Sequence, residues 1–294
     1  MKFGCQLPLE TGDFELLLEI ARECERLGYD SVVAYDHLSP YWAKPAKTLE
    51  CWTVLSAIAQ RTRTIRLGSL VTNINLRQPS LLAKMSSTVD NISNGRLILG
   101  LGTGDRMSRD ELLSYGYDFA GLHERVERLR ETILILKAMW SEDEASFHGK
   151  YYELRQAVNY PKPKQKPHPP VWVGGRHRRI LDIVAEMASG WNQWGLNDAQ
   201  LRQCNSYLSK KCAEIGRRAE DITKSWAGTI SDLFRSSSTR PQMLQILTAA
   251  LQSKADAGAR YFIANFGTRP DLEKLKMFAE AVSNLEENNS GRIS

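Results

Sequence analysis

Three stretches of this chain place chemically useful side chains beside backbone that can approach a ligand closely. The first is Tyr35-Asp36-His37. Imidazole titrates near neutrality, so a histidine beside a carboxylate can take a proton from an alcohol or return one. The second is Arg96-Leu-Ile-Leu-Gly-Leu-Gly-Thr-Gly-Asp105, an apolar run into a glycine-rich turn that ends on a carboxylate. Gly100, Gly102 and Gly104 let backbone approach something flat or phosphorylated. The same residues also make tight turns that bind nothing. The dinucleotide pattern Gly-x-Gly-x-x-Gly is not completed, because Met107 stands where its last Gly belongs. The third is Val171-Trp-Val-Gly-Gly-Arg-His-Arg-Arg179, where paired glycines run into basic residues. A helix opening at Arg176 would offer free N–H groups and a positive end to a phosphate, with His177, Arg178 and Arg179 adding charge. A plain helix start with a solvated basic face has the same composition.

Each stretch follows an apolar run, and the runs alternate with helical patterns. Strand-like segments at 2–6, 31–35, 65–71 and 96–102 are separated by helical spacing at 13–27, 49–60 and 80–92. The run Leu97, Ile98, Leu99 and Leu101 is too short and too uninterrupted for an amphipathic helix and suits a strand buried on both faces. Residues 122–140 carry Val126, Leu129, Ile133, Leu136 and Trp140 on one helix face, which places Trp140 in the core. Alternation breaks near residue 144. Residues 146–154 read as a hairpin turning at Gly149, and 160–170 hold five prolines in eleven residues, which excludes helix or central strand. Alternation resumes with strands at 171–175, 190–194, 223–230 and 260–266 and helices at 176–187, 201–215, 241–257 and 271–285. Eight strand–helix units in 294 residues point to a single α/β domain, a (β/α)8 TIM barrel spanning 1–285. An insertion at about 144–170 precedes its fifth strand, and a polar tail covers 286–294. An open doubly wound sheet is the alternative.

The totals exclude several classes. No run of 18 apolar residues exists, so no helical membrane span is expected. The first residues lead straight into a strand and do not read as a secretory signal. Cys5, Cys24, Cys51, Cys204 and Cys212 are odd in number and scattered, which fits reduced thiols in the cytoplasm rather than a disulfide framework or a zinc site. His123, His148 and His168 lack metal-ligand spacing, and no metal is expected. A net charge of +5, spread along the chain, does not call for nucleic acid and only helps an anionic small ligand.

In order and spacing, several segments together resemble the bacterial luciferase-like flavin and deazaflavin oxidoreductases. They are Leu27-Gly-Tyr-Asp-Ser-Val-Val-Ala-Tyr-Asp-His37, Leu67-Gly-Ser-Leu-Val-Thr-Asn73, Gln78-Pro79, and Asn94-Gly-Arg followed by the glycine turn. Phe147-His-Gly-Lys-Tyr-Tyr152, Pro167-His-Pro-Pro-Val-Trp-Val-Gly-Gly175 and Ser189-Gly-Trp-Asn192 agree. The resemblance implies a (β/α)8 barrel that binds its tricyclic ring at the carboxyl ends of the strands. Asp36-His37 and Gly102-Thr-Gly-Asp105 are similar to the branch that uses coenzyme F420, although Asp105 stands where that branch has the longer Glu. His37 and Asp105 are then the catalytic candidates, with Asp36 on the ring's pyrimidine edge. Cofactor contacts are expected at Asp36, Ser69, Leu70, Thr72, Thr103, Gly104, Ser108, Gly174, Gly175, His177 and Arg178. A non-prolyl cis peptide is expected between Ser69 and Leu70, behind the ring. Tyr41, Trp42 and Glu10 are candidates for walls of the substrate pocket. The implied activity is hydride transfer between coenzyme F420 and a small organic substrate, in a homodimer. A flavin mononucleotide (FMN)-dependent monooxygenase and a non-catalytic barrel of the same family are the competing readings. A Rossmann-type nicotinamide enzyme is disfavoured by the incomplete glycine pattern.

Overall fold

The computed structural model describes residues 1–39, 47–231, 239–268 and 271–290. Tyr41 and Trp42 lie outside these residues. Parallel strands β1 (Lys2–Gln6), β2 (Ser31–Ala34), β3 (Arg66–Asn73), β4 (Leu97–Gly102), β7 (Val171–Gly174), β8 (Gly190–Trp194), β9 (Thr223–Thr229) and β10 (Tyr261–Asn265) form one closed sheet. β1 closes it by pairing with β2 at Gly4↔Ser31 and with β10 at Lys2↔Tyr261. An open doubly wound sheet would have two edges, and this sheet has none. The interruption before the fifth barrel strand is an antiparallel hairpin, β5 (Glu144–His148) with β6 (Glu153–Val158).

Helices α1 (Phe14–Arg26), α2 (Cys51–Arg61), α3 (Pro79–Ile92), α5 (Leu122–Ser141), α6 (Arg178–Met187), α7 (Asp198–Glu214), α8 (Arg240–Asp256) and α9 (Leu272–Ser290) surround the barrel. Local chemistry sets their starts. Asp13 caps α1 by accepting the Leu16 N–H at 3.1 Å, Pro79 opens α3, and Asn197 with Gln200 forms a capping box on α7. That box starts α7 three residues before the expected Leu201. α6 begins at Arg178 rather than Arg176, so Arg176 and His177 extend the turn after the paired glycines. Residues 286–290 continue α9 instead of belonging to a loose tail. A short helix, α4 (Ser108–Ser114), follows the glycine turn, where the sequence had suggested no element.

The alternation of β4 sorts its side chains by face. Leu97, Leu99 and Leu101 are buried against the helices, in one cluster with Ile133, Leu136 and Trp140 of α5. Ile98 faces the lumen, packed with Val33, Trp172, Ala227, Tyr261 and Ile263. Gly100 and Gly102 lie on that same lumen face. Against β4, the register of β3 jumps from Ser69↔Leu99 to Thr72↔Leu101, a bulge holding Leu70 and Val71. The non-prolyl cis peptide is Leu70–Val71, inside this bulge, one bond beyond the expected Ser69–Leu70 position.

Candidate active site

All eight barrel strands run parallel, so their carboxyl ends share one mouth. Asp36 and His37 follow β2, Asn73 ends β3, Thr103 to Asp105 follow β4, and Gly174–Gly175 ends β7. The glycines on the lumen face make room for the β3 bulge. A Cβ at Gly102 would stand 2.3 Å from Val71 Cγ2, and one at Gly174 would stand 2.9 Å from Val71 Cγ1. Val71 thus fills the space that side chains on β4 and β7 would otherwise take, and Leu70 packs against the lumen cluster.

Asp36 and His37 have different surroundings. The Asp36 carboxylate is buried, and both its oxygens face donors from the β3–α3 connection. Arg77 Nη1 donates to Oδ2 at 2.5 Å, Arg77 Nη2 to Oδ1 at 3.1 Å, and the Asn73 N–H to Oδ2 at 2.9 Å. The bidentate pair holds the Arg77 guanidinium more firmly charged than usual, against the desolvation that opposes it. His37 is partly open, with its side chain 20% exposed. Its Nδ1 lies 2.6 Å from Oε2 of Glu111 on α4. The Ser39 N–H donates to the other Glu111 oxygen at 3.0 Å, as does the Leu38 N–H. Burial would raise the Glu111 carboxyl, but the His37 ring and the two amides outweigh it and hold the group below the usual carboxylate range. The edge of the His37 ring meets Tyr35 at 5.8 Å between centroids. The Tyr35 hydroxyl donates to Glu10, and burial, reinforced by that carboxylate, pushes the phenol far up.

The glycine turn is pinned from behind. Arg125 Nη1 donates to the Thr103 carbonyl at 2.8 Å, and Asn75 Nδ2 donates to the same carbonyl at 2.9 Å. Asp105 lies at the start of α4, where its Oδ1 accepts from the Ser108 N–H and Oγ, both at 2.8 Å. The carboxylate placed on His37 is therefore Glu111, and Asp105 is tied to Ser108. Ser69 and Thr72 are fully buried in a chain of their own. Thr72 Oγ1 donates to Ser69 Oγ at 2.7 Å, and Ser69 Oγ donates to the Gly100 carbonyl at 3.0 Å. Their hydroxyls thus brace β3 against β4 across the bulge.

The turn after β7 is open. Gly175 has φ +133°, where a Cβ would also meet Ile180 Cδ1 at 2.8 Å. No side chain caps α6 among the described residues, and Arg176, His177 and Arg178 are exposed around its start. Arg178 also lies over the Tyr207 ring, and Arg179 turns to His123 at 2.6 Å. Among the described residues no cluster of His, Cys, Asp or Glu could hold a metal, and no helix is long and apolar enough to cross a membrane. Glu111, Arg77 and Arg125 were not singled out by sequence. The only local signals were Arg77 directly before Gln78-Pro79, and Glu111 within the polar stretch after the glycine turn.

The family model described as luciferase-like monooxygenase matches residues 1–292. The chain belongs to this family. An F420-dependent glucose-6-phosphate dehydrogenase of Microbacterium testaceum is 26% identical over 225 residues, 76% of this chain and 66% of the relative. An F420-dependent hydroxymycolic acid dehydrogenase of Mycobacterium tuberculosis is 28% identical over 224 residues, 74% of this chain and 61% of the relative. The luciferase-like chain spans about half to two thirds of the length of the curated relatives it matches. A solved F420-dependent secondary alcohol dehydrogenase, in complex with an F420-acetone adduct, superposes with a TM-score of 0.83 at 17% identity. It covers 97% of this chain and 98% of the other, and that likeness shows the barrel.

Proposed function

We propose that this luciferase-like chain is a coenzyme F420-dependent oxidoreductase that transfers hydride between the deazaflavin and a small organic substrate. The observation that carries the reading is His37, partly exposed at the carboxyl-end mouth beside a β3 bulge and glycine-lined strand ends. The similarity to several F420-dependent dehydrogenases supports the cofactor. The donor set fits this group: the Gly174–Gly175 turn, the open start of α6 and the side chains of His177 and Arg178 suit an anionic tail, and Leu70 with Val71 supplies an apolar wall for a flat ring. Ser69, Thr72, Thr103, Gly104 and Ser108 act by shaping the wall and turn. Asp36, bound to Arg77, fixes the strand end that carries His37.

Coenzyme F420, when bound, supplies hydride exchange. His37 accepts the hydroxyl proton as hydride leaves the carbon that bears it, and returns a proton to the carbonyl oxygen in the reverse direction. Asp105 adds a negative charge near the substrate's approach. The chain is further read as a homodimer in the cytoplasm. Its five cysteines are all free and buried, which suits a reducing compartment. The test is the bleaching of oxidised F420 by the purified protein against a panel of small alcohols and sugar phosphates. Turnover should appear with one substrate class and fall by about 100-fold or more in His37→Ala. Turnover with reduced FMN and oxygen instead would favour the monooxygenase reading.

A further inference from the structure

We infer that Glu111 is a positioning residue that fixes His37 in its Nδ1–H tautomer and thereby assigns proton exchange to Nε2. The inference rests on the reading of His37 as the acid–base group. Its basis is an inventory of donors. One Glu111 oxygen takes the backbone N–H groups of Leu38 and Ser39, which can only donate. The other oxygen faces His37 Nδ1 at 2.6 Å. A carboxylate held in its ionised form by these contacts has no proton to give, so the hydrogen on that short bond belongs to the ring. Unconstrained neutral imidazole favours the opposite tautomer, and the fold therefore selects the minor one. With Nδ1–H tied to Glu111, Nε2 is the nitrogen that presents a lone pair to a substrate hydroxyl.

The device is also mechanical. Glu111 is 7% exposed on α4, and α4 starts where Asp105 accepts from Ser108. The turn after β4 thereby sets the ring at the end of β2, and Asp105 contributes to His37 through α4. The Tyr35 ring packs edge-on against the imidazole with its hydroxyl given to Glu10, and the neighbouring Asp36 is engaged by Arg77. Glutamine at 111 offers one acceptor and one donor group, so its amide cannot receive from both the backbone pair and the ring.

The test is nitrogen NMR of the full chain labelled with ¹⁵N-histidine, on the alkaline side of the imidazole titration, with His37→Ala to assign the signal. Wild type should show His37 as a single Nδ1–H tautomer. Glu111→Gln should convert it to a mixture or to Nε2–H and lower kcat at least about tenfold while KM changes less. Glu131→Gln is the control. Glu131 likewise receives three backbone amides, from Lys150, Tyr151 and Tyr152, but far from the site, so its loss should leave the tautomer unchanged. A wild-type His37 with Nε2–H, or a tautomer unaltered in Glu111→Gln, overturns the inference. If Glu111→Gln does not fold, the wild-type spectrum still decides. A fixed Nδ1–H tautomer together with undiminished F420 turnover in His37→Ala would instead remove the acid–base reading and leave the tautomer standing.

Discussion

Asp36 and His37 are adjacent in the chain, yet one is locked and the other presented. Asp36 is buried against Arg77, so Asp36→Ala would leave the buried guanidinium only its longer 3.5 Å contact to the half-exposed Glu50 carboxylate. Unfolding in urea should show a loss of roughly 3 kcal/mol, as for other broken buried pairs. His37→Ala takes one donor from the buried Glu111 carboxylate, so it should cost about 1–2 kcal/mol, less than Asp36→Ala, and remove turnover. Glu111 sets a pH signature. Its folded carboxyl titrates below its unfolded value, so its contribution to stability is complete above the unfolded carboxylate range and disappears as pH falls through the folded one. The melting temperature of Glu111→Gln should therefore lie below wild type at neutral pH and converge on it in acid, as differential scanning calorimetry across pH would record. His37 and Asp36 were readable from sequence because their types carry chemistry wherever they stand. Glu111 and Arg77 were not, because they meet their partners across 74 and 41 residues of chain, and only closure of the barrel brings them together.

The turn elements owe their form to packing that no local pattern reveals. The glycine run of β4 reads as a ligand cradle, but Gly102 first makes room for Val71. Gly102→Ala should cost about 1–3 kcal/mol from the clash alone, measured by chemical denaturation, even without cofactor. The position of the cis bond followed the same logic. It depends on which β3 residues lack a partner on β4, and this register is a property of the pair. Seven-residue α4 is too short to show a period amid the polar residues after Asp105. The long helices and buried strands were legible because periodicity and apolar runs accumulate over many residues. The open start of α6 belongs to the cofactor reading at this scale. Arg178→Ala should weaken binding of F420 about tenfold while leaving the binding of its tail-free deazaflavin core unchanged, as parallel titrations would show.

At the scale of the whole molecule, the order of eight strand–helix units announced a closed barrel, and the closed sheet follows that order with a hairpin set between β4 and β7. What the barrel binds depends on its mouth, and the mouth is built from residues of many units. Homodimerisation would appear as twice the 33.2 kDa chain mass by light scattering at micromolar protein. The central claim, a deazaflavin site, is tested most directly by titrating the purified protein in parallel with coenzyme F420 and FMN. The seven tryptophans, together with the deazaflavin's own emission, provide the signal. The account predicts that F420 binds in the micromolar range, about −8 kcal/mol, and that FMN binds at least about tenfold more weakly. Tighter binding of FMN, or binding of neither, would contradict it.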